Sequence, residues 1–538
     1  MRNSRLPLAQ RLVAVAAACM LVSGPSPRAA EPINPNSAEG RSGVAQVLIG
    51  LLEKADSTKI TADDYASTSL SQIVAFGTPA GFRIKLRYLD FGVSLVEALK
   101  SARDPDLRKR LIELVQWSRN PQVRAEAIIT LASLLDPSHK RYFKEAILDS
   151  KIGIRFAAVE ALQKWGQPDA ISLLHMSMDR DWSPLMKIFA SQALLSLGDQ
   201  AALDTLWKGL DHESWVVRAM SARYLGEYAS PEDYPKLVTY MNRETKNDFV
   251  AAELATSALK LISRKGEKVS YSPASTDYRQ NEEVSYTMGK DQAIELEPLI
   301  IVPPQVRIPA SLRAAAQINT RLLSMLKDRK DFQLEPVEEQ DPILQELNAM
   351  VTPSGFALKT RYSQLSYLLI EALAGTNDPV LSAEIRRMAG EEQNTLIRAT
   401  ALMAVAYNRN DNDSYLFRDA LNSKSATVRM GALEGIDVGR FRSALPSVSA
   451  VSASDPSPAI QIYALQLMAK FGDSSARQIL LSRINDPDWP ARAMAYWTLS
   501  RYGESEDYGI IHARLNSEEN PFVQAEIALA CLKLAPVP

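Results

Sequence analysis

The sequence contains few of the residues from which metal and disulfide sites are built. Its 538 residues include two cysteines, Cys19 and Cys531, and four histidines. Cys19 lies in a segment that we expect to be removed, so the mature chain keeps one thiol, which excludes an internal disulfide and a cysteine-rich metal site. The four histidines are too scattered to assemble a histidine-rich metal site. We therefore expect no metal and no cofactor.

Sequence motifs of catalysis are lacking as well. Neither a glycine-rich phosphate loop nor a G-x-S-x-G motif occurs. The acidic pairs Glu232-Asp233 and Glu506-Asp507 suggest acid–base chemistry. Each pair follows a serine at a predicted helix start, however, where the helix dipole favours acidic residues in the first turn. We predict that the protein is not an enzyme and assign no catalytic residue.

An excess of positive charge and long apolar runs are also missing. The formal net charge is −2, and no half of the chain carries a strongly basic stretch. A nucleic-acid partner is therefore not expected, because such proteins need a basic surface for the phosphates. No run of eighteen apolar residues follows the N-terminal region, so no transmembrane segment is predicted in the mature chain.

Residues 1–30 resemble a secretory signal peptide. A basic start is followed by the apolar, alanine-rich stretch Leu12 to Val22, which is too short to span a bilayer. Cleavage after Gly24 places Val22 and Gly24 at −3 and −1, and cleavage after Ala30 is the alternative, although Arg28 is a poor residue for its −3 place. Removal of residues 1–30 takes away four arginines and no acid, so the formal net charge changes from −2 to −6. These features predict an exported, periplasmic protein.

Anchoring through a lipid on Cys19 is not expected. Ala17 and Ala18 precede this cysteine, but Ala16 stands where a lipidation signal prefers leucine. Residues 31–42 are polar and include two prolines, so we interpret them as a flexible lead-in.

A regular spacing of basic residues indicates repeats. Arg124, Arg155, Lys187 and Arg218 follow one another at nearly constant intervals in the numbering. Each is followed by an alanine-rich apolar run that ends in glycine or a polar turn. Two helical segments per period of about 31 residues are typical of a helical solenoid, whose units must stack to cover their apolar faces.

The same pattern returns in the second half of the chain at a nearly constant offset. The stretch Trp215–Tyr234 matches Trp489–Tyr508 at nine of twenty positions. Thr78-Pro79 corresponds to Thr352-Pro353, and each pair predicts a helix start, with threonine as the cap and proline in the first turn. We predict an all-α, helical-hairpin solenoid (an α-α superhelix) of two homologous halves of about six repeats each.

The predicted halves are residues 43–263 and 311–538. Residues 264–310 between them are polar at first and proline-rich later, and we interpret them as a linker. Leu299 to Val302 is expected to be extended against the solenoid, and a strand that binds a partner is the alternative. Whether the halves form one superhelix or two hinged arcs stays open.

The repeats resemble those of HEAT-repeat proteins, in particular the short bacterial HEAT-like repeats of phycobilisome lyases. The shared pattern is an aspartate followed six positions later by a basic residue, as in Asp149/Arg155 and Asp486/Arg492. The resemblance implies a scaffold fold, and it does not specify function. We expect the aspartate to cap the second helix of its unit. The arginine is expected to reach an acid in the next unit, and a row of anion-binding sites is the alternative.

Enzymes occur among the proteins that this chain resembles. Deoxyhypusine hydroxylase is similar in being a duplicated HEAT array, and it binds two irons through repeated His-Glu pairs. Here His212-Glu213 is the one such dipeptide, and Asp486-Pro487 stands at the corresponding place in the second half. The resemblance to phycobilisome lyases implies a chromophore-lyase activity, which an exported protein would not perform.

Candidate partner contacts come from aromatic and basic side chains. Trp182, Trp215 and Trp489 precede second helices, where tryptophan either anchors a partner or wedges between units, which we favour. A second set consists of basic residues that we interpret as solvated faces, with contact to an acidic partner as the alternative. Its members are Arg83, Lys85, Arg87, Lys359 and Arg361.

These observations favour a non-catalytic scaffold that binds a protein or an extended peptide in the groove of the solenoid. Two alternatives remain open: an enzyme or enzyme accessory with a site in that groove, and an envelope protein that binds glycan through its aromatic residues. Neither the identity of the partner nor the oligomeric state follows from the sequence.

Overall fold

The regular structure is almost entirely helical. The computed structural model describes residues 41–535 apart from 56, 77, 90, 93, 96–97, 99–104, 269, 272–274, 277–300, 303–305, 329–331 and 375–378. The predicted signal peptide and all but two residues of the predicted lead-in lie outside these residues. The predicted all-α class and solenoid architecture are confirmed.

Thirteen helices are described before the predicted linker, and the first three precede the regular repeats. They are α1 Arg41–Lys54, α2 Thr68–Ala75, α3 Pro79–Leu89, α4 Pro105–Trp117, α5 Pro121–Ala132, α6 Lys140–Ala146, α7 Ile152–Trp165, α8 Pro168–Arg180, α9 Pro184–Ser196, α10 Leu203–Gly209, α11 Trp215–Tyr228, α12 Tyr234–Arg243 and α13 Asp248–Lys265.

Fifteen helices are described after it. They are α14 Ala310–Asp328, α15 Pro336–Glu339, α16 Pro342–Asn348, α17 Pro353–Ser363, α18 Leu365–Leu373, α19 Pro379–Glu391, α20 Thr395–Tyr407, α21 Ser414–Ala420, α22 Ala426–Gly439, α23 Leu445–Ser454, α24 Pro458–Lys470, α25 Ser475–Arg483, α26 Trp489–Tyr502, α27 Tyr508–His512 and α28 Pro521–Leu534.

Two short strand pairs lie in the predicted linker. Strand β1 (Ser270–Tyr271) pairs antiparallel with β4 (Val306–Arg307), and β2 (Ser275–Thr276) pairs antiparallel with β3 (Ile301–Val302). The extended structure predicted for the end of Leu299 to Val302 is therefore present, but its partner is the start of the same segment. The ends of the segment lie side by side, because α13 packs against α14.

Helix starts follow the expected capping chemistry. The side chain of Thr352 accepts a hydrogen bond from the Gly355 amide at 3.0 Å, and Thr78 accepts one from Gly81 at 3.2 Å. Residues 82–88, in which apolar residues alternate with Arg83, Lys85 and Arg87 as in a strand, lie in α3. At α9 the cap is Ser183, while the predicted cap Asp181 accepts from the Ser183 amide at 2.9 Å. The aspartate thus shapes the turn before the helix and does not cap the helix itself.

The arginines and the acids of the next unit form the predicted ladder. Arg155 Nε lies 2.6 Å from Asp181 Oδ2, and Arg429 Nε lies 2.7 Å from Asp455 Oδ2. Less buried members join Arg124 to Asp149, Arg218 to Glu244 and Arg492 to Glu518. These groups are satisfied by one another, so the ladder is a packing device and the alternative of an anion-binding row is not supported.

The second helix of each repeat is buried on nearly every side. In α7 the buried residues include consecutive positions from Gly153 to Val159, and in α26 they run from Ala493 to Ser500. A helix that is apolar all round must be covered on all faces. Neighbouring repeats cover two sides, so a third layer is needed over the row of second helices.

That layer is supplied by the opposite half of the chain. We define the first entry segment as α2 and α3 and the second entry segment as α16 and α17, which occupy corresponding places in the two halves. Helix α2 packs on α22, α24 and α26, whereas α16 packs on α9 and α11. Helix α1 packs on α28, and α3 contacts α17. Each half therefore covers the second helices of the other, and the solenoid closes on itself.

Candidate functional site

The closed arrangement fills the predicted binding groove. A groove lined by one helix from each repeat would expose the second helices, but the entry segments lie on them. The amide of Ala80 donates to Glu434 of α22 at 2.9 Å, and the amide of Ser354 donates to Glu160 of α7 at 3.4 Å. The predicted location of a partner in this groove is therefore wrong.

Two buried ion pairs hold the entry segments in place. Arg87 contacts Glu526 with both nitrogens of its fork, and its Nη2 lies 2.6 Å from Oε2. At the corresponding place Arg361 contacts Glu253, with Nη2 2.7 Å from Oε2. The prediction that these basic residues are solvated is therefore wrong for Arg87 and Arg361. Each contacts a buried acid, and that acid belongs to the opposite half of the same chain.

The second of these pairs extends into a network. Arg361 also contacts Glu371, and Lys260 Nζ lies 2.7 Å from the Glu371 Oε1 atom. Burial raises the pKa of Glu371, but Arg361 and Lys260 outweigh this and lower it to about 2, so the carboxylate is ionised near neutral pH. The network is internally compensated and offers no free charge to a ligand.

The remaining members of the basic sets differ in exposure. Arg83 is exposed, and Lys85 and Lys359 are half-buried. Burial lowers the pKa of Lys85 to about 8. The structure therefore places Arg87 and Arg361 at the two junctions where an entry segment meets the opposite half, one at each junction. It leaves Arg83 exposed.

The lowered pKa of Lys85 predicts that replacement of this lysine changes the free energy of unfolding by an amount that depends on pH. Its folded pKa lies below its unfolded value, so the cost of burying the charge is fully present below about pH 8 and disappears as the pH rises above about 10.4. We expect Lys85→Met to stabilise the protein at pH 7 and to lose that advantage by about pH 10. Urea unfolding of both proteins at each pH measures this. A constant difference would show that Lys85 is not charged in a buried site.

Trp215 lies beside the Arg361–Glu253 pair, and Trp489 lies at the corresponding place beside the Arg87–Glu526 pair. The Trp215 ring lies 5.2 Å from Phe249 of the next repeat and 5.9 Å from Tyr362 of the opposite half. The Trp489 ring lies 5.2 Å from Phe522 and 6.1 Å from Tyr88. Both tryptophans are the first residues of helices and wedge between units. The alternative that they anchor a partner at the surface is not supported, because Trp215 is 5% exposed and Trp489 is half-buried.

Trp182 is different, because its side chain is 73% exposed. The guanidinium carbon of Arg155 lies 5.6 Å from the centre of the indole ring. Arg155 is itself fixed, since it is bidentate on Asp181 and donates to the backbone oxygen of Asp149. Trp182 is therefore a large apolar side chain that a buried arginine holds at the surface.

A second exposed tryptophan, missed in the sequence analysis, lies on the same side. Trp117 ends α4 and is 77% exposed. The turn after it contacts the next turn through Lys151 Nζ, which donates to the Arg119 oxygen at 3.4 Å. Arg155 connects that turn to the Trp182 turn. We call the three adjacent turns, residues 117–120, 149–151 and 181–183, the tryptophan edge.

The tryptophan edge has no counterpart in the other half. The positions that correspond to its two tryptophans are Glu391 and Pro456. Its two exposed cations, Arg119 and Lys151, are replaced by Gln393 and Ser425. A comparison of the two halves position by position could have found this site, because the packing residues are shared and these four are not.

No cluster suited to a metal occurs within the described residues. Likewise, none of the described helices combines the length and apolarity needed to cross a membrane. His212, in the His-Glu dipeptide, accepts a hydrogen bond from the Ser214 amide at Nδ1 and lies in a turn.

Comparison with protein families identifies the repeats. The family model described as HEAT repeats matches residues 108–188, 177–260 and 445–531. These stretches of the chain are HEAT repeats. The narrower likeness to phycobilisome lyases stays a prediction. No curated protein matches the sequence.

Solved structures match the chain at low sequence identity. Human deoxyhypusine hydroxylase in complex with glycerol is 15% identical over 69% of this chain and 98% of its own, with a TM-score of 0.24. Kap121p bound to Ste12p is 12% identical over 98% of this chain and 53% of its own, with a TM-score of 0.32. The chain thus spans about half of the length of that karyopherin, and these likenesses carry no information on function.

Proposed function

We propose that this protein is an exported, non-catalytic scaffold that binds a protein partner on the tryptophan edge. The observation that carries the proposal is the pair Trp117 and Trp182, two indole side chains that are 77% and 73% exposed along one edge of the repeats. Tryptophan is enriched among the residues that dominate binding energy at interfaces. A HEAT array supplies the rigid support that such a contact needs, because its repeats fix the spacing of the turns.

The difference between the halves supports the same surface. Packing residues recur in both halves, as the matched contacts of Trp215 and Trp489 show. The exposed tryptophans occur in one half, so stacking of the repeats does not require them. Two exposed tryptophans along one row of turns are the type of side chain that anchors a protein partner.

Crosslinking in intact cells tests this function. We expect one protein partner to be recovered with the wild-type chain and its yield to fall about tenfold with the double variant Trp117→Ala/Trp182→Ala. Val337→Ala is the matched control, because Val337 is 71% exposed outside this edge. Equal recovery with the double variant would contradict the proposal, as would binding to a cell-wall glycan pellet in place of a protein.

Export is tested separately by fractionation. Residues 1–30 resemble a signal peptide, and we propose that they direct the chain to the periplasm, where no lipid on Cys19 holds it. We expect the intact chain to appear in the soluble periplasmic fraction and a chain without residues 1–30 to stay in the cytosol. Recovery of both in the cytosol would contradict export.

A further inference from the structure

The charges of the tryptophan edge indicate what kind of segment it binds. This step rests on the proposed function and adds the chemistry of the partner. The acids of the edge are neutralised within the protein: Asp149 Oδ2 lies 2.7 Å from Arg124 Nη1, and Asp181 is held by Arg155. Arg119 and Lys151 are exposed. The surface between the two tryptophans is therefore positive, although the whole chain has a formal net charge of −2.

A half-buried acid also contacts the edge. Glu346 of the second entry segment accepts a hydrogen bond from the Ser183 hydroxyl. Burial raises the pKa of Glu346 and the nearby Arg155 opposes that shift, so Glu346 belongs to the cluster of Arg155 and Asp181. Arg119 and Lys151 are the exposed cations of the edge outside this cluster.

The spacing of the repeats sets the length of the segment. Trp117 and Trp182 precede α5 and α9, which are separated by α7, and packed helices lie roughly 8–10 Å apart. Two such steps place the starts of α5 and α9 roughly 16–20 Å apart, and we take this as the scale of the separation between the two tryptophans. An extended peptide rises about 3.3 Å per residue and alternates its side chains, so residues six positions apart reach both tryptophans from the same face.

We propose that the tryptophan edge binds an extended acidic peptide segment with an apolar side chain at each end and carboxylates between them. The apolar ends contact Trp117 and Trp182. The carboxylates, two and four positions after the first apolar residue, face Arg119 and Lys151. Charge complementarity of this kind orients a partner and speeds association.

Synthetic peptides test the chemistry on the intact protein. The probe is Leu-Ser-Asp-Ser-Asp-Ser-Leu with a fluorescent label, and its affinity is measured by fluorescence anisotropy at low and at high salt. We expect Leu-Ser-Lys-Ser-Lys-Ser-Leu and Ala-Ser-Asp-Ser-Asp-Ser-Ala to bind at least about tenfold more weakly. Binding of the acidic probe should weaken as salt rises, because the cations are exposed.

Two matched variants locate the contact. Lys151→Glu is expected to reduce affinity for the acidic probe, whereas Lys424→Glu, an exposed lysine in the corresponding turn of the other half, should leave it unchanged. Equal affinity for the acidic and basic peptides, no effect of Lys151→Glu, or no binding of the acidic probe would each overturn the inference. If crosslinking still depends on both tryptophans in that case, the proposed function stands and its acidic specificity does not.

Discussion

Glu526→Ala is expected to lower the free energy of unfolding by about 3–5 kcal/mol, because it removes the carboxylate that a buried guanidinium contacts. The side chains of Arg87 and Glu526 are 5% and 0% exposed. Ser94 also donates to the same carboxylate at 3.2 Å. Urea unfolding followed by circular dichroism measures the loss.

Two controls separate the buried charge from general damage. Asp204→Ala breaks a salt bridge with Lys208 whose side chains are 70% and 77% exposed, and such pairs contribute at most about 1 kcal/mol. The double variant Arg87→Met/Glu526→Leu removes both charges and should recover most of the loss. A Glu526→Ala protein as stable as Asp204→Ala would show that the entry segment does not close the ring through this pair.

The opposite junction of the ring is built from the same chemistry. Glu253 is 1% exposed and accepts hydrogen bonds from Arg361 and, at 3.0 Å, from the Tyr362 hydroxyl. Like Glu526, it lies on the last helix before the end of its half, and its arginine comes from the entry segment of the other half. Both junctions between the first and the second half of the chain are therefore closed by a buried arginine–glutamate pair.

Much of the fold could be predicted because it depends on local spacing. The repeat period, the Arg155–Asp181 type of ladder and the threonine caps all follow from side chains that act within one or two repeats. Closure of the ring could not be predicted in this way. A duplicated array gives the same periodicity whether its halves continue in one superhelix or cover each other.

One sequence signal did point to closure. The second helices are apolar on adjacent positions, as in the run from Phe156 to Val159 of α7, and an open groove would leave one side of them in water. The basic residues of the entry segments carry no such signal. Arg83, Lys85 and Arg87 alternate with apolar residues, and sequence alone does not show that Glu526, far along the chain, lies opposite Arg87.

The repeat pattern points to Trp182 and not to Trp117. Trp182 immediately follows Asp181, which belongs to the pattern. Trp117 ends α4, outside that pattern. Neither side chain is buried, so the difference between the halves is the sequence signal that marks both.

Trp215→Ala is expected to lower the free energy of unfolding by about 3–5 kcal/mol, the usual range for deletion of a large buried aromatic side chain. The ring contacts Phe249 and Tyr362, and its Nε1 donates a hydrogen bond to the backbone oxygen of Glu338 at 3.1 Å. The substitution therefore removes both the contact with the next repeat, through Phe249, and the contact with the opposite half, through Tyr362. The midpoint of urea unfolding reports the change.

Substitution by phenylalanine separates packing from hydrogen bonding, because the two halves offer a matched pair. Trp489 occupies the corresponding site, but its buried Nε1 has no hydrogen-bond partner among the described residues. Trp489→Phe removes an unsatisfied donor, whereas Trp215→Phe removes a hydrogen bond to the backbone oxygen of Glu338, which then keeps the Asp341 amide as its donor at 3.3 Å. We expect Trp215→Phe to be less stable than Trp489→Phe by about 1–3 kcal/mol. Equal losses would mean that ring volume alone determines the stability of both junctions, and that the hydrogen bond to Glu338 contributes nothing to holding the halves together.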